Sequence, residues 1–167
     1  MTWGEWWPFY RLPLLVAVPA LLVDQISKWW ILLGYMTPAR VIEVTSFFNL
    51  VAAWNTGVSF SLFAGGPGWT RWVLIGVSVV IVAAVLWWIK RLPSRLERAC
   101  AGLLIGGALG NVIDRLYFGA VFDFVDFHVA GWHWPAFNAA DSFIVVGAFG
   151  LAAVQLFSPE QQPKDRS

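Results

Sequence analysis

The sequence predicts an integral membrane protein that is mainly α-helical, with four transmembrane helices and a small β-rich cradle on the outer side of the membrane. The composition is the first reason: 59% of the 167 residues are hydrophobic and only 13% are charged, against about 25% charged residues in a typical soluble domain. The second reason is that four apolar stretches approach the roughly 20 residues that a helix needs to cross a bilayer. The formal net charge of +1 gives no electrostatic reason to expect a nucleic-acid partner.

The four predicted spans cover residues 12–33, 72–89, 99–117 and 135–157, within a single membrane domain of residues 1–167. The second span is free of charged side chains and is the clearest of the four. In the third span, Gly102, Gly106 and Gly110 recur every four residues. One face of that helix therefore exposes bare backbone, as membrane helices do where they pack closely against a neighbour. The polar tail, residues 158–167, is predicted to be disordered.

The distribution of Lys and Arg predicts the orientation of the chain. Seven of these residues lie in the flanks 1–11, 90–98 and 158–167, whereas only Arg40, Arg71 and Arg115 lie on the opposite side. Since positively charged flanks stay in the cytoplasm, both termini are expected to be cytoplasmic. The first span lacks the basic leader and small-residue cleavage site of a secretory signal peptide, so it is predicted to remain as a helix.

The two outer connections differ in character. The longer one contains two β-prone runs, residues 41–44 and 47–51, followed by the turn signal Asn55-Thr56-Gly57. These runs predict a β-rich segment over residues 38–64 that lies on the membrane surface. The shorter connection, residues 118–134, is expected to be a loop, and it carries Asp123, Asp126 and two histidines among aromatic residues.

Three charged residues, Asp24, Asp114 and Asp141, lie at a similar predicted depth in three different spans. With a rise of about 1.5 Å per residue, each is expected within about 10 Å of the outer membrane surface. Asp123 is tethered at the same level by the shorter outer connection. A charge inside a membrane costs several kcal/mol unless it is paired or wetted. The sequence therefore predicts one polar site that faces the outer side of the membrane.

Some of these charges have a structural explanation. Asp24 and Lys28 are four residues apart on one helix, so they can neutralise each other or take part directly in the site. Asp114 lies next to Arg115 and one turn after Asn111. This arrangement favours a structural network at the end of a helix over catalysis.

Asp123 and Asp141 lack a basic neighbour in the sequence and are therefore the strongest functional candidates. Asn138, three residues before Asp141, can cap the start of the fourth helix. Asp126 follows Asp123 by three residues, so in an extended strand it points to the opposite face. We expect Asp126 to be a solvated loop acid.

Other chemistries fit the sequence less well. His128, His133 and Asp126 could bind a metal ion, but the His-Glu-x-x-His spacing of metalloproteases is missing, and no metal is expected. Ser142 follows Asp141 without a Gly-x-Ser-x-Gly elbow, which disfavours a Ser/His/Asp triad. The sequence has no glycine-rich phosphate loop and no dinucleotide fingerprint, so no cofactor is expected.

Four segments form a specific pattern between residues 24 and 142. They are residues 24–28 (Asp-Gln-Ile-Ser-Lys), residues 47–60 with Asn55-Thr56-Gly57, residues 106–127 with Asn111, Asp114, Arg115 and Asp123, and residues 134–142 with Asn138, Ala140 and Asp141. Their order and spacing resemble those of lipoprotein signal peptidases, also called signal peptidase II. That family consists of aspartyl proteases of the bacterial inner membrane.

The resemblance implies an aspartic endopeptidase whose catalytic pair is Asp123 and Asp141. Its substrates would be diacylglyceryl-modified prolipoproteins, from which it removes the signal peptide by cleavage on the amino side of the lipidated cysteine. The resemblance also implies four transmembrane helices with cytoplasmic termini, a cradle and active site on the periplasmic side, contact with membrane lipid, and inhibition by globomycin-type compounds. It implies supporting or substrate-binding roles for nine residues: Asp24, Lys28, Asn55, Gly57, Asn111, Asp114, Arg115, Asn138 and Ala140.

Three residues depart from the family pattern. Trp54 precedes the Asn-x-Gly turn, where many members have a basic residue or histidine, and Val58 and Ser59 replace alanines that are often found there. These changes concern substrate contacts rather than the catalytic pair.

Two other functions use the same residues. A small transporter could employ Asp24, Asp114 and Asp141 as a cation or proton relay. It would need polar groups that continue to the inner face, and the second span has none. A non-catalytic scaffold in the secretion pathway would tolerate asparagine at both Asp123 and Asp141.

Overall fold

The computed structural model describes residues 3–57 and 68–157 of the chain. The elements follow in the order α1 (Trp3–Gly34), β1 (Ile42–Thr45), β2 (Phe48–Asn55), α2 (Thr70–Trp88), a short 3-10 helix (Ile89–Arg91), α3 (Arg95–Tyr117), β3 (Val121–Val129), β4 (Trp132–His133) and α4 (Ala139–Phe157). The predicted disordered tail lies outside the described residues. So do residues 58–64 of the predicted β-rich segment, which include Val58 and Ser59.

Among the described residues, four helices are long and apolar enough to cross a membrane, and each overlaps one predicted span. Together with the small antiparallel sheet, they confirm the predicted fold class. α1 is the longest helix, with 32 residues, and it contains Pro8, Pro13 and Pro19. Membrane helices tolerate proline because neighbouring groups satisfy the backbone that the proline frees. α1 begins nine residues before the predicted first span, so the aromatic residues of that flank belong to the helix.

Glycines bring the neighbours of α3 close to its backbone. A Cβ atom on Gly106 would lie 2.5 Å from the carbonyl oxygen of Ala17 in α1, and Gly102 faces the backbone of α1 in the same way. This confirms that the predicted glycine face serves for close helix packing. On another side of α3, a Cβ atom on Gly107 would lie 2.5 Å from the carbonyl oxygen of Ala140 in α4. α3 therefore holds α1 and α4 at short range, and these helices carry much of the site described below.

The four strands form one antiparallel sheet in the order β1-β2-β3-β4. The prediction of a loop over residues 118–134 is wrong, because Val121–Val129 form a strand that pairs with β2. In this register Ala53 lies opposite Asp123. The run Val-Phe-Asp-Phe-Val-Asp-Phe is rich in the residues that favour strands, and this preference outweighs its two acids.

An apolar cluster attaches the sheet to the end of α1. Ile31 and Met36 pack there against Phe122 and Phe124 of β3. Trp54 of β2, one of the departures from the family pattern, packs on Phe122 with ring centroids 5.1 Å apart. Because Phe122 and Phe124 flank Asp123, this cluster fixes the part of β3 that carries the aspartate.

Candidate active site

Two aspartates from different elements belong to one hydrogen-bonded group. Asp123 lies on β3 and is 2% exposed, and Asp141 lies in the first turn of α4. Asn138 connects them, since its Nδ2 donates to Asp123 Oδ1 at 2.6 Å and its Oδ1 accepts from the backbone N–H of Asp141 at 3.0 Å. The second bond also confirms the predicted cap at the start of α4.

The other oxygens of both carboxyl groups are hydrogen bonded as well. Asn55 Nδ2 donates to Asp123 Oδ2 at 3.1 Å. Asn111 Nδ2 donates to Asp141 Oδ1 at 2.8 Å, and the backbone N–H of Asn138 donates to Asp141 Oδ2 at 3.2 Å. Each carboxyl oxygen therefore has a donor that fixes its orientation.

Gly57 and Arg115 close this group into a ring. The backbone N–H of Gly57 donates to Asn55 Oδ1 at 3.0 Å. Arg115 donates through Nη2 to the carbonyl oxygen of Gly57 at 3.2 Å and through Nη1 to the carbonyl oxygen of Asn111 at 3.3 Å. The ring thus joins α3, the turn after β2, β3 and the start of α4.

A buried ion cluster lies beside the ring. Lys28 Nζ lies 2.9 Å from Asp24 Oδ2 and 2.9 Å from Asp114 Oδ2. It also donates to Asn111 Oδ1 at 3.1 Å, which links the cluster to the ring. The predicted pairing of Asp24 with Lys28 is confirmed. Asp114 is part of a network, as predicted, but its cationic partner is Lys28 rather than its neighbour Arg115.

The two carboxylates of the ion cluster hold the backbone beside the two candidate aspartates. Asp24 Oδ1 accepts from the backbone N–H of Ala140 at 2.9 Å, one residue before Asp141. Asp114 Oδ2 accepts from the backbone N–H of Phe122 at 3.1 Å, one residue before Asp123. All eleven predicted site residues are therefore connected in a single network.

The surroundings of Asp123 change its acidity. Burial and the charge of Asp141 raise the pKa of Asp123 from 3.8 to about 7, although hydrogen bonds from Asn55 and Asn138 oppose the shift. A carboxyl group with this pKa exchanges its proton near neutral pH. This is the property that general acid–base catalysis requires.

An apolar cavity of about 420 Å³ lies between α2, α3 and α4 and reaches Asp141. Its walls are mostly apolar, and the polar groups in its lining come from Ser78, Asn111, Arg115, Asp141 and Ser142. Trp134 and Phe137, from the segment that leads into α4, complete the wall. Ligand sites typically combine apolar walls with a few such polar groups. This cavity is suited to an apolar chain that presents one polar bond to Asp141.

Asp126 differs from the prediction of a solvated loop acid. It lies on β3, is 6% exposed, and accepts a hydrogen bond from Asn49, which faces it across the strand pair. Burial opposes ionisation, but hydrogen bonds from His133 and Asn49 are strong enough to lower the pKa of Asp126 below its usual value. The burial was missed because the pairing of Asp126 with β2 depends on the strand register. Its partners differ from those of Asp123, as expected for the opposite face of a strand.

Gln25 is a polar contact of the ion cluster that sequence reasoning missed. Its Nε2 lies within hydrogen-bond distance of Asp24 Oδ2 at 3.1 Å and of Asp114 Oδ1 at 3.0 Å. The signal was present, because a polar amide inside an apolar span requires hydrogen-bond partners.

Comparison with known proteins identifies the family. A family model described as signal peptidase (SPase) II matches residues 16–157. The chain belongs to the signal peptidase II family. Signal peptidase II is an aspartic-type protease, so the chain is a peptidase, as the resemblance implied. Family membership therefore decides in favour of proteolysis over the transporter and scaffold alternatives.

Individual relatives are similar in sequence to this chain over most of its length. A lipoprotein signal peptidase from Rhodopseudomonas palustris (strain TIE-1) is 46% identical over 146 residues, which cover 84% of this chain and 89% of the relative. One from Pseudoalteromonas atlantica (strain T6c / ATCC BAA-1087) is 41% identical over 144 residues, which cover 85% and 87%. A solved bacterial membrane enzyme superposes with a TM-score of 0.77 at 26% identity and covers 93% of both chains. The fold of this signal peptidase II is therefore that of a solved bacterial membrane enzyme.

Proposed function

We propose that this signal peptidase II cleaves diacylglyceryl-modified prolipoproteins on the amino side of the lipidated cysteine, with Asp123 and Asp141 as its catalytic pair. One observation carries the proposal: Asn138 joins the two carboxyl groups, and Asp141 of this pair lines an apolar cavity between helices of membrane-spanning length. Family membership supplies the reaction class, and this geometry supports the choice of residues.

The mechanism follows from the coupling of the two acids. Two linked carboxyl groups in a partly apolar site cannot both ionise at low cost, so the pair holds one proton and titrates as a unit. The ionised member takes a proton from the water that attacks the scissile carbonyl carbon, while the protonated member donates its proton to the carbonyl oxygen. The carbon–nitrogen bond then breaks, and the amine of the lipidated cysteine leaves after protonation by the pair.

The nine other residues support this pair. Asn55, Asn111 and Asn138 orient the carboxyl groups through direct hydrogen bonds. The remaining six hold the backbone or close the ring: Asp24, Lys28, Gly57, Asp114, Arg115 and Ala140.

The cavity suits the substrate class. A signal helix and the acyl chains of membrane lipid are apolar, and both reach the enzyme from the bilayer. The apolar walls can accept such groups, while the bond to be cut lies beside Asp141. Globomycin-type compounds are expected to occupy the same cavity and to compete with the substrate.

The charge distribution supports an orientation in the bacterial inner membrane with both termini in the cytoplasm and the catalytic pair on the periplasmic side. At the end of the bundle away from the sheet, three cations lie over aromatic rings: Lys90 over Trp6, Arg91 over Trp87 and Arg98 over Phe9. An excess of Lys and Arg is typical of the cytoplasmic membrane surface, whereas aromatic residues are enriched at both surfaces.

The test of the proposal uses the purified protein in detergent and two prolipoproteins that differ only in the diacylglyceryl group. We expect cleavage of the lipidated form, with the modified cysteine as the new amino terminus by mass spectrometry, and slower cleavage when a globomycin-type compound is added. The unlipidated form is the matched control and should remain intact. Cleavage at another bond, or no cleavage of a lipidated substrate that a known signal peptidase II processes, would contradict the proposal.

A further inference from the structure

The ion cluster beside the catalytic pair holds more negative than positive charge. Asp24 and Asp114 are both buried and share the single ammonium group of Lys28. The three N–H donors of that ammonium group are directed to Asp24, Asp114 and Asn111. Lys28 therefore has no further N–H to give to either carboxylate.

Gln25 supplies the donors that Lys28 lacks. Its amide nitrogen donates to Asp114 Oδ1 at 3.0 Å and to Asp24 Oδ2 at 3.1 Å, and the carbonyl oxygen of Gly110 lies 3.3 Å away. Among the described residues, Asp114 Oδ1 accepts its hydrogen bond from Gln25. One uncharged amide thus bridges two like-charged carboxylates.

We propose that Gln25 is a positioning residue that sets the separation of Asp123 and Asp141. Gln25 is connected to the pair through two branches, one for each aspartate of the ion cluster. Asp24 holds the backbone N–H of Ala140 at the start of α4, and Asp114 holds the backbone N–H of Phe122 on β3. The inference rests on the proposed catalytic pair.

Without the amide bridge, repulsion between the two carboxylates moves them apart. Asp114 Oδ1 also becomes a buried acceptor without its donor, which costs about 1–3 kcal/mol and favours rotation of the carboxylate. Either movement is transmitted to the residue before each catalytic aspartate. A misplacement of about 1 Å in a catalytic group can lower the rate about 100-fold.

The first test compares Gln25→Met with Gln155→Met. Both substitutions remove an amide from a helix of membrane-spanning length, but Gln155 lies in an exposed position near the end of α4. We expect Gln25→Met to lower kcat about 10- to 100-fold with KM within about twofold. Gln155→Met is expected to have the parent kcat and KM.

The pH profile separates positioning from a merely structural role. Charged groups from three elements face Asp123: Asp141 of α4 raises its pKa, Lys28 of α1 lowers it, and Arg115 of α3 lies in the same ring. If Gln25→Met separates the pair, Asp141 raises the pKa of Asp123 less, and the alkaline limb of kcat moves to lower pH. A variant that only reduces the amount of folded enzyme leaves that limb in place.

Gln25→Glu provides a second variant of nearly the same size. The introduced carboxyl faces Asp24 and Asp114, with Lys28 as the adjacent cation. When ionised it can only accept hydrogen bonds, whereas the protonated form has one O–H donor. We therefore expect the activity of Gln25→Glu, relative to the parent enzyme, to recover as the pH falls.

The outcomes distinguish this inference from the proposed function. Parent kcat and an unchanged pH profile in Gln25→Met, or an equal loss in Gln155→Met, would overturn the role of Gln25 alone. Loss of folded protein with a normal kcat per folded enzyme would also overturn it. Full activity of Asp123→Asn or Asp141→Asn would instead remove the proposed function on which the inference rests.

Discussion

Asp123 combines deep burial with a nearby negative charge. These two causes raise its pKa to about 7 in the folded protein, whereas an unfolded aspartate has a pKa of about 3.9. The native state therefore binds this proton more tightly than the unfolded state does. The stability that follows is fully present below the unfolded pKa and is lost as the pH rises through about 7.

Asp123→Asn should remove this pH dependence. Between about pH 5 and pH 8.5, the Tm of the parent enzyme is expected to fall relative to that of the variant by on the order of 5 °C. Differential scanning fluorimetry in detergent measures the effect. Asp126→Asn is the control, because the pKa of Asp126 is lowered and its ionised form supports the fold across this range. Parallel Tm curves for the parent enzyme and Asp123→Asn would contradict the assigned pKa.

At the same scale, sequence reasoning identified side chains that the structure brings together, but not all of their partners. The depth of Asp24, Asp114 and Asp141 in separate spans predicted that they share one polar site. It could not show that Asp114 pairs with Lys28, because α1 and α3 lie far apart in the sequence and meet only through packing. The sequence signals that Gln25 needs hydrogen-bond partners, but it could not show for the same reason that Asp114 is one of them.

At the scale of elements, the contact between α1 and α3 determines the geometry of the ion cluster. Gly106 contacts the backbone of α1 at Ala17, and Gly110 faces the carboxylate of Asp24. The absence of side chains at these glycines lets Lys28 of α1 reach Asp114 and Asn111 of α3. A small increase in helix separation should therefore disturb both stability and catalysis.

Gly106→Ala tests this contact. The added Cβ atom would lie 2.5 Å from the carbonyl oxygen of Ala17, so α1 must shift, and we expect a loss of about 1–3 kcal/mol in stability with reduced cleavage. Gly76→Ala on α2 is the matched control, since nothing lies within 4 Å of its added Cβ atom. Thermal unfolding and cleavage assays on both variants measure the difference. Equal behaviour of the two variants would rule out close α1–α3 packing as a requirement.

The helices were easier to predict than the sheet. Long apolar stretches identify membrane helices because the bilayer sets their length. β3 was mistaken for a loop because its two acids suggested solvent exposure, whereas pairing with β2 and packing of Phe122 and Phe124 bury most of the strand. The partner of Asp126 depends on the same register, which no local pattern specifies.

At the scale of the whole molecule, the buried polar site and a cluster of Lys and Arg side chains lie at opposite ends of the helix bundle. The proposed catalytic pair and the sheet lie where α1 ends and α4 begins, and a cluster of basic side chains that includes Arg91 and Arg98 lies where α2 ends and α3 begins. This asymmetry was predictable from the sequence because Lys and Arg counts need no tertiary structure. The closed ring of hydrogen bonds was not predictable, because it joins residues such as Asn55 and Asp123, which are 68 positions apart.

Labelling of single cysteines tests the proposed orientation. In a Cys100→Ser background, Ser46→Cys lies at the exposed turn between β1 and β2, and Pro93→Cys lies at an exposed position before α3. A membrane-impermeant maleimide is expected to label Ser46→Cys from the periplasmic side, and Pro93→Cys only after the inner membrane is permeabilised. The opposite pattern would place the proposed catalytic pair on the cytoplasmic side.

The central claim is that Asp123 and Asp141 together cut the substrate. Its most direct test is single-turnover cleavage of a diacylglyceryl-modified prolipoprotein by Asp123→Asn, Asp141→Asn and Asp126→Asn. We expect the first two variants to remain folded in the membrane and to lose cleavage by at least about 1,000-fold, in line with the loss of a general acid or base. Asp126→Asn should cleave at nearly the parent rate per folded enzyme, because its partners are Asn49 and His133. Full activity in either Asp123→Asn or Asp141→Asn would contradict the assignment of the catalytic pair.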